Sequence, residues 1–124
     1  MSLENFYSVV AKKDGADPGV KLIEIEINKD HQVFEGHFPG NPVMPGVCML
    51  HIIKEVTEGY VGKALFMEQC TNVKFMSIIN PELNSRLSLE IAINEDDEKV
   101  KIKGNTIFQD NIALKLSVVY RFMN

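Results

Sequence analysis

The stretch GHFPGNPVMPGVCMLHIIKE, residues 36–55, joins a stiff loop directly to an apolar run. Three prolines and three glycines punctuate its first half, and the last of these prolines, Pro45, suits the first position of a helix because its fixed φ and missing N–H cost nothing there. The apolar residues that follow cover most of a helix circumference, which predicts a buried helix. Either Gly59 or Gly62 is expected to end it as the C-terminal cap.

The segments on both sides of this helix predict the rest of the architecture. LENFYSVVAKK is predicted as a short helix from Leu3 to about Ala11, followed by the turn cluster KDGADPG. VKLIEIEINKD alternates apolar and polar residues and predicts a strand with one wet face. After Gly62, similar alternation predicts four or so antiparallel strands, the first long enough to hold a bulge. A curved sheet wrapped around one apolar helix is therefore expected, with one side of the helix and a sheet edge left for a second subunit.

Composition limits the classes of protein that fit. A chain of 124 residues with 45% hydrophobic and 24% charged residues is expected to form one soluble domain, residues 1–124. The net charge of −4 and the lack of a basic stripe argue against nucleic-acid binding. Glu4 lies where a signal peptide would be basic, and no apolar run approaches the about 18 residues of a membrane span. Cys48 and Cys70 form no motif and are expected to be reduced. These features predict a cytoplasmic domain without a membrane segment.

The motif GHFPGNPVMPGV, residues 36–47, closely resembles the active-site segment of 3-hydroxyacyl-[acyl-carrier-protein] dehydratases of the FabA/FabZ type. The order and length of the remaining segments agree over about residues 20–122, including NVKFMSIINPEL at 72–83. The resemblance implies an α+β hotdog fold, in which a curved antiparallel sheet wraps around one long central helix. It also implies a homodimer with acyl tunnels at its interface. The substrate would arrive on the phosphopantetheine arm of acyl-carrier protein, without a metal or another cofactor.

The resemblance also assigns roles to particular residues. In this family a histidine and a carboxylate 14 positions later, supplied by the partner subunit, carry out the chemistry. The histidine corresponds to His37 and is expected to be the base, the alternative being a core or loop histidine whose ring is hydrogen-bonded to the backbone. Position 14 after it is His51, so an imidazole stands where the family has an acid. Gly46 and Val47 would offer backbone N–H groups to the thioester carbonyl, the alternative being an ordinary Pro-Gly start of a helix.

The acid is the open question. His51 either protonates the departing hydroxyl or packs against apolar neighbours. Glu55, one turn further along the helix, either orients His51, supplies the proton itself or is an exposed glutamate. His37, His51 and Glu55 are chemically adequate zinc ligands, but no recognised spacing supports a metal site. Cys48 is predicted as a packed thiol rather than a nucleophile.

The function that follows from the resemblance is dehydration of 3-hydroxyacyl thioesters to trans-2-enoyl thioesters, in fatty-acid or related polyene or polyketide-like synthesis. One alternative is an acyl-thioesterase of the same superfamily. Another is a catalytically degenerate acyl-binding subunit that joins a related subunit in a heteromer; a higher oligomer than the dimer is also open. Alternating lysines at 99, 101 and 103 form either a surface for acyl-carrier protein or, in the favoured interpretation, a solvated strand face.

Overall fold

The computed structural model describes residues 3–35 and 42–123. The strands are β1 (Tyr7–Asp14), β2 (Val20–Ile27), β3 (Leu65–Phe75), β4 (Arg86–Glu95), β5 (Lys99–Phe108) and β6 (Asn111–Phe122). A 3-10 turn spans Gln32–Phe34, and the described residues contain one α-helix, α1 (Gly46–Val61). Residues 36–41, with the predicted base His37, lie outside the described residues.

The six strands form one antiparallel sheet in the order β1-β2-β4-β5-β6-β3, so β1 and β3 are its edges. The four strands predicted after the helix are confirmed, and so is the irregularity of the first, since the pairing of β3 with β6 shifts register twice. The hairpin between β5 and β6 turns at Gln109 and Asp110, whose φ values are 51° and 66°. Two left-handed residues in a two-residue turn match the twist of the strands that they join.

The inner face of the sheet packs on α1. Alternate residues of β2 and β4 point inward and join the buried side of the helix in one hydrophobic core, which includes Ile23, Ile25, Ile27, Leu87, Leu89, Ile91, Cys48, Met49, Ile52, Ile53 and Val56. The period of two in these strands is therefore the period of burial. One long helix held against one antiparallel sheet is the arrangement that the resemblance implies.

The helix α1 has well-defined ends. Pro45 is the N-cap rather than the first helical residue, and Gly46 begins the helix. Of the two glycines predicted to end it, Gly62 does so, with a left-handed φ of 73° and its N–H bonded to the carbonyl of Glu58. The carboxylate of Glu58 also accepts a 2.8 Å hydrogen bond from the N–H of Leu65. This bond ties the end of α1 to the start of β3.

Within the single chain α1 is buried on one side and open on the other, as expected for a helix with one side left for a second subunit. Val47 is 60% exposed, and the side chains of His51 and Glu55 are 41% and 44% exposed. These three residues are spaced four apart and define the open face of α1. The sheet of a single chain covers only the other side of the helix, where six residues are buried.

The predicted N-terminal helix is wrong, because residues 7–14 form the edge strand β1. This strand pairs with β2 from Tyr7 opposite Ile27 to Asp14 opposite Lys21, with a bulge after Val9. Its β-branched valines fit a pleated strand better than a helix. The sheet therefore gains an edge strand that local sequence reading assigned to a helix.

Candidate active site

The three histidines of the chain differ in their surroundings, and only two of them lie in the described part of the structure. His37 lies outside the described residues, so its role stays a prediction. His31 is used structurally, because its Nδ1 accepts a 3.0 Å hydrogen bond from the N–H of Val33 and its ring meets Phe6 edge-on at 5.1 Å. His51 lies on the open face of α1 and is half exposed rather than packed among apolar side chains.

The start of α1 presents backbone donors. Pro45 supplies no side-chain cap, and its carbonyl accepts from the N–H groups of Cys48 and Met49 at 3.0 and 3.4 Å. The N–H groups of Gly46 and Val47 come before these, and the first N–H groups of a helix have no acceptor within it. The helix dipole adds positive charge at this end. These two donors are suited to a carbonyl oxygen that gains negative charge.

Phe75, at the end of β3, borders the donor pair. A Cβ built on Gly46 would lie 2.6 Å from the Cζ atom of Phe75, so the ring packs directly against the glycine. The ring is otherwise open, since Phe75 is 58% exposed. Sequence reasoning gave Phe75 no role. Its only signal was its place in the segment NVKFMSIINPEL that resembles the family.

The structure brings His51 and Glu55 together. The Nε2 atom of His51 lies 3.4 Å from the Oε1 atom of Glu55 one turn further along α1. The same Oε1 accepts a 3.0 Å hydrogen bond from the hydroxyl of Tyr7. Of the roles predicted for Glu55, this geometry fits the one that orients His51.

Tyr7 is a site residue that sequence reasoning missed, because its segment was predicted as a helix with no contact to α1. Burial, followed by the hydrogen bond to Glu55, raises the pKa of the Tyr7 phenol well above its usual range. The phenol therefore stays protonated and remains a donor near neutral pH. The β-branched Val9 and Val10 were the signal that could have placed this segment in the sheet.

The other residues considered in the sequence lie in the core or on the outer face of the sheet. Cys48 is buried in the core and burial raises the pKa of its thiol, which fits the prediction of a packed thiol. Within residues 3–35 and 42–123, no group of three or more His, Cys, Asp or Glu residues could hold a metal ion. That search does not reach His37. Lys99 forms a 2.8 Å ion pair with Glu68, while Lys101 and Lys103 are exposed on the outer face of β5.

Comparisons with known proteins agree with this picture. Residues 14–113 match the model of the ApeI-like family, which is described as ApeI dehydratase. A relative from Lactobacillus helveticus, named 3-hydroxyacyl-[acyl-carrier-protein] dehydratase FabZ, is 28% identical over 120 residues, which cover 88% of this chain and 78% of the relative. A FabZ of the same name from Clostridium acetobutylicum is 30% identical over 104 residues, 77% of this chain and 68% of the relative.

Solved structures agree on the fold. A chain of the dehydratase heterocomplex ApeI:P from Xenorhabdus doucetiae superposes with a TM-score of 0.72 at 18% identity, over 92% of this chain and 96% of that one. A putative thioesterase, yhdA from Lactococcus lactis, gives a TM-score of 0.68 at 7% identity, over 99% and 98%. At these identities the likeness shows the fold alone, and the hotdog prediction is confirmed. No helix in the described part of the chain is long and apolar enough to cross a membrane.

Proposed function

The chain belongs to the ApeI-like dehydratase family, and we propose that it removes water from 3-hydroxyacyl thioesters carried on acyl-carrier protein, giving trans-2-enoyl thioesters. The observation that carries this proposal is the open face of α1, on which His51 and Glu55 lie one and two turns beyond Val47, whose backbone N–H is one of the two donors at the start of the helix. The names of the FabZ relatives describe this reaction for those proteins. Fatty-acid or polyene and polyketide-like synthesis would use it.

In the first half of the reaction His37 removes the α-proton of the substrate. An unperturbed imidazole suits a base that works near neutral pH. The electrons of the C–H bond move toward the thioester carbonyl, whose oxygen gains negative charge. The N–H groups of Gly46 and Val47 would hold that oxygen, as donors fixed in advance at the start of a helix.

In the second half the bond between the β-carbon and the hydroxyl breaks. His51 lies five residues beyond Gly46, about 7.5 Å along the helix axis, and helical side chains lean back toward the N-terminus. Since Nε2 lies beside Glu55, Nδ1 is the ring nitrogen that would meet the β-carbon region of a substrate bound at Gly46. His51 gives its proton to the departing hydroxyl, which leaves as water, and His37 holds the proton taken from the α-carbon. No cofactor enters this scheme apart from the phosphopantetheine arm that carries the substrate.

We further propose that the protein acts in the cytoplasm as a homodimer, in which His37 of each subunit works with His51 of the other subunit. The exposed Val47 and the two edge strands of the sheet leave surface for a second copy. A heteromer with a related subunit is the second form to test, since the structural match from Xenorhabdus doucetiae is described as a heterocomplex.

The deciding experiment incubates the purified protein with 3-hydroxyacyl-acyl-carrier protein and follows the bound acyl group by mass spectrometry. Loss of water from the acyl group is expected. His51→Ala should slow this loss by about 10²-fold or more, the usual contribution of a positioned acid. His51→Glu should retain it, because that change restores the carboxylic acid of the family.

Three results would contradict the assignment in different ways. Full activity of His51→Ala together with an inactive Glu55→Ala would make Glu55 the acid. Release of free acid in place of dehydration would make the protein a thioesterase. A wild type that binds the acyl group and turns nothing over would favour an acyl-binding subunit. Sedimentation at micromolar concentration that shows only a species of 14.0 kDa would rule out the dimer.

A further inference from the structure

Tyr7, on the edge strand β1, reaches across to the open face of α1. Its hydroxyl donates to the Oε1 atom of Glu55 at 3.0 Å, and the same oxygen lies 3.4 Å from the Nε2 atom of His51. The Oε1 atom of Glu55 thus accepts a hydrogen bond from a phenol and lies within ion-pair distance of an imidazole nitrogen. We propose that Tyr7 is a positioning residue of the dehydratase: it holds the carboxylate of Glu55 toward His51 and thereby fixes which ring nitrogen of His51 carries the proton.

The position of Tyr7 is itself fixed by the fold. Its neighbour Phe6 is fully buried, and the Phe6 ring packs against His31 at 5.1 Å and Phe34 at 5.7 Å. The carbonyl of Phe6 accepts a 2.8 Å hydrogen bond from the N–H of Asn28. The start of β1 is therefore held by the packing of the Phe6 ring and by the hydrogen bond to the Phe6 carbonyl. These contacts fix the backbone from which the Tyr7 hydroxyl reaches Glu55.

Glu55 needs such a partner. It lies on an exposed turn of α1, and an exposed glutamate has several rotamers of similar energy. A hydrogen bond from a half-buried phenol selects the rotamer that faces His51. The pKa of Tyr7 is raised by burial and by the bond to Glu55, so the phenol keeps the proton that it donates.

The consequence for His51 is a defined tautomer. The nitrogen that faces Glu55 is Nε2, so a neutral ring has its hydrogen on Nε2 and presents Nδ1 away from the carboxylate. A protonated ring then has its second proton on Nδ1. In the proposed reaction, this is the proton given to the departing hydroxyl. The inference rests on the proposed function for that last step only; the tautomer is a property of the resting protein.

Two measurements on the full chain test the proposal. Nitrogen-15 NMR of the imidazoles, at a pH where His51 is neutral and with its signal identified by loss in His51→Gln, is expected to show the Nε2–H tautomer in the wild type. Tyr7→Phe keeps the ring and removes only the hydroxyl, and it should give a mixture of the two tautomers. The same variant should lower kcat for dehydration about 10-fold, as expected for a lost hydrogen bond to a charged group, with little change in KM.

The controls separate positioning from packing. Tyr60→Phe removes a tyrosine hydroxyl from α1 itself, at a ring that contacts Lys12 and Lys21 and not Glu55. It should leave the tautomer and kcat unchanged. In a Glu55→Ala background, Tyr7→Phe should cause no further loss, because the two residues act through one contact.

The proposal is overturned if Tyr7→Phe leaves the tautomer as in the wild type, whatever happens to kcat, or if its effect on kcat is undiminished in the Glu55→Ala background. Failure of the proposed function looks different. A wild type without turnover that still shows a Tyr7-dependent Nε2–H tautomer would support the positioning role and reject dehydration.

Discussion

The two faces of α1 differ in burial and in the chemistry of their side chains. The buried face carries Cys48, Met49, Ile52, Ile53, Val56 and Thr57, and the open face carries Val47, His51 and Glu55. On the buried face the one polar group is satisfied inside the helix, since the Thr57 hydroxyl donates to the carbonyl of Ile53 at 2.7 Å. On the open face the polar groups reach to another element of the chain, through the bond from Tyr7 to Glu55.

The two faces contribute differently to the stability of the fold. Buried apolar side chains stabilise a fold in proportion to the area that they remove from water. A half-exposed histidine and glutamate contribute little to stability by the same measure, and an exposed ion pair adds about 1 kcal/mol at most. Their presence on the central helix is explained by chemistry better than by packing.

The largest expected effect is on the free energy of unfolding, when valine is changed to alanine on each face of α1 in turn. Val56→Ala deletes two methyl groups from the core, where Val56 is 5% exposed, and should lower the free energy of unfolding by about 2 kcal/mol or more. Val47→Ala, on the open face, should change it by about 0.5 kcal/mol or less. Urea denaturation of both variants measures the difference.

The contrast between the two faces is contradicted if Val47→Ala and Val56→Ala lower the free energy of unfolding by the same amount. A loss at Val47 as large as the loss at Val56, which disappears when the protein is diluted, would place Val47 inside a subunit interface. Val47 would then belong to the interface of the proposed dimer, and the contrast between the two faces would hold only for the dissociated chain.

A smaller effect is expected where the two faces meet, at the start of α1. Gly46→Ala places a methyl group 2.6 Å from the Cζ atom of Phe75. Overpacking costs about 1–3 kcal/mol, and the exposed ring can move away, so a loss near about 1 kcal/mol is expected.

Phe75→Ala supplies the control. In that background Gly46→Ala should be neutral or stabilising, because alanine is the better helix former once the collision is gone. Thermal unfolding of the four proteins gives the coupling between the two positions. A loss of unchanged size in the Phe75→Ala background would show that the glycine is required for another reason than the ring.

Much of the fold was predictable because its signals are periodic. The alternation of Ile23, Ile25 and Ile27 matches their burial in β2, and Gly62 ends the helix with the left-handed φ that glycine favours. The helix prediction for residues 3–11 was wrong because the sequence of one segment does not show which strand it pairs with. Tyr7 and its neighbours become a strand only through the register with β2, which is a tertiary effect.

The candidate site was predictable where a residue lies on the helix and not where the site depends on contacts between elements. The spacing of four residues between His51 and Glu55 predicts that they lie one turn apart on the helix. Neither the Tyr7 bond to Glu55 nor the Phe75 packing on Gly46 joins residues close in sequence. No periodic pattern records such contacts, so only the folded chain shows them.

The smallest expected effect is a change at alkaline pH in the contribution of Tyr7 to the free energy of unfolding. The ordinary pKa of a tyrosine is 10.0, and in the folded protein the pKa of Tyr7 is raised, first by burial and then by its bond to Glu55. As pH rises above 10, the phenol ionises in the unfolded chain but stays neutral in the folded one. Ionisation then favours unfolding, so the contribution of Tyr7 to stability is present below pH 10 and is lost as pH rises toward the folded pKa. The gap in free energy of unfolding between the wild type and Tyr7→Phe should therefore narrow across that range, measured by urea denaturation at several pH values.

Tyr60→Phe is the control for this pH dependence. Burial raises the pKa of Tyr60 less than that of Tyr7, and Lys21 lowers it, so the trend for Tyr60→Phe should be weaker. A gap for Tyr7 that widens with pH, or a stronger trend for Tyr60, would mean that the phenol on the open face is not the donor to Glu55.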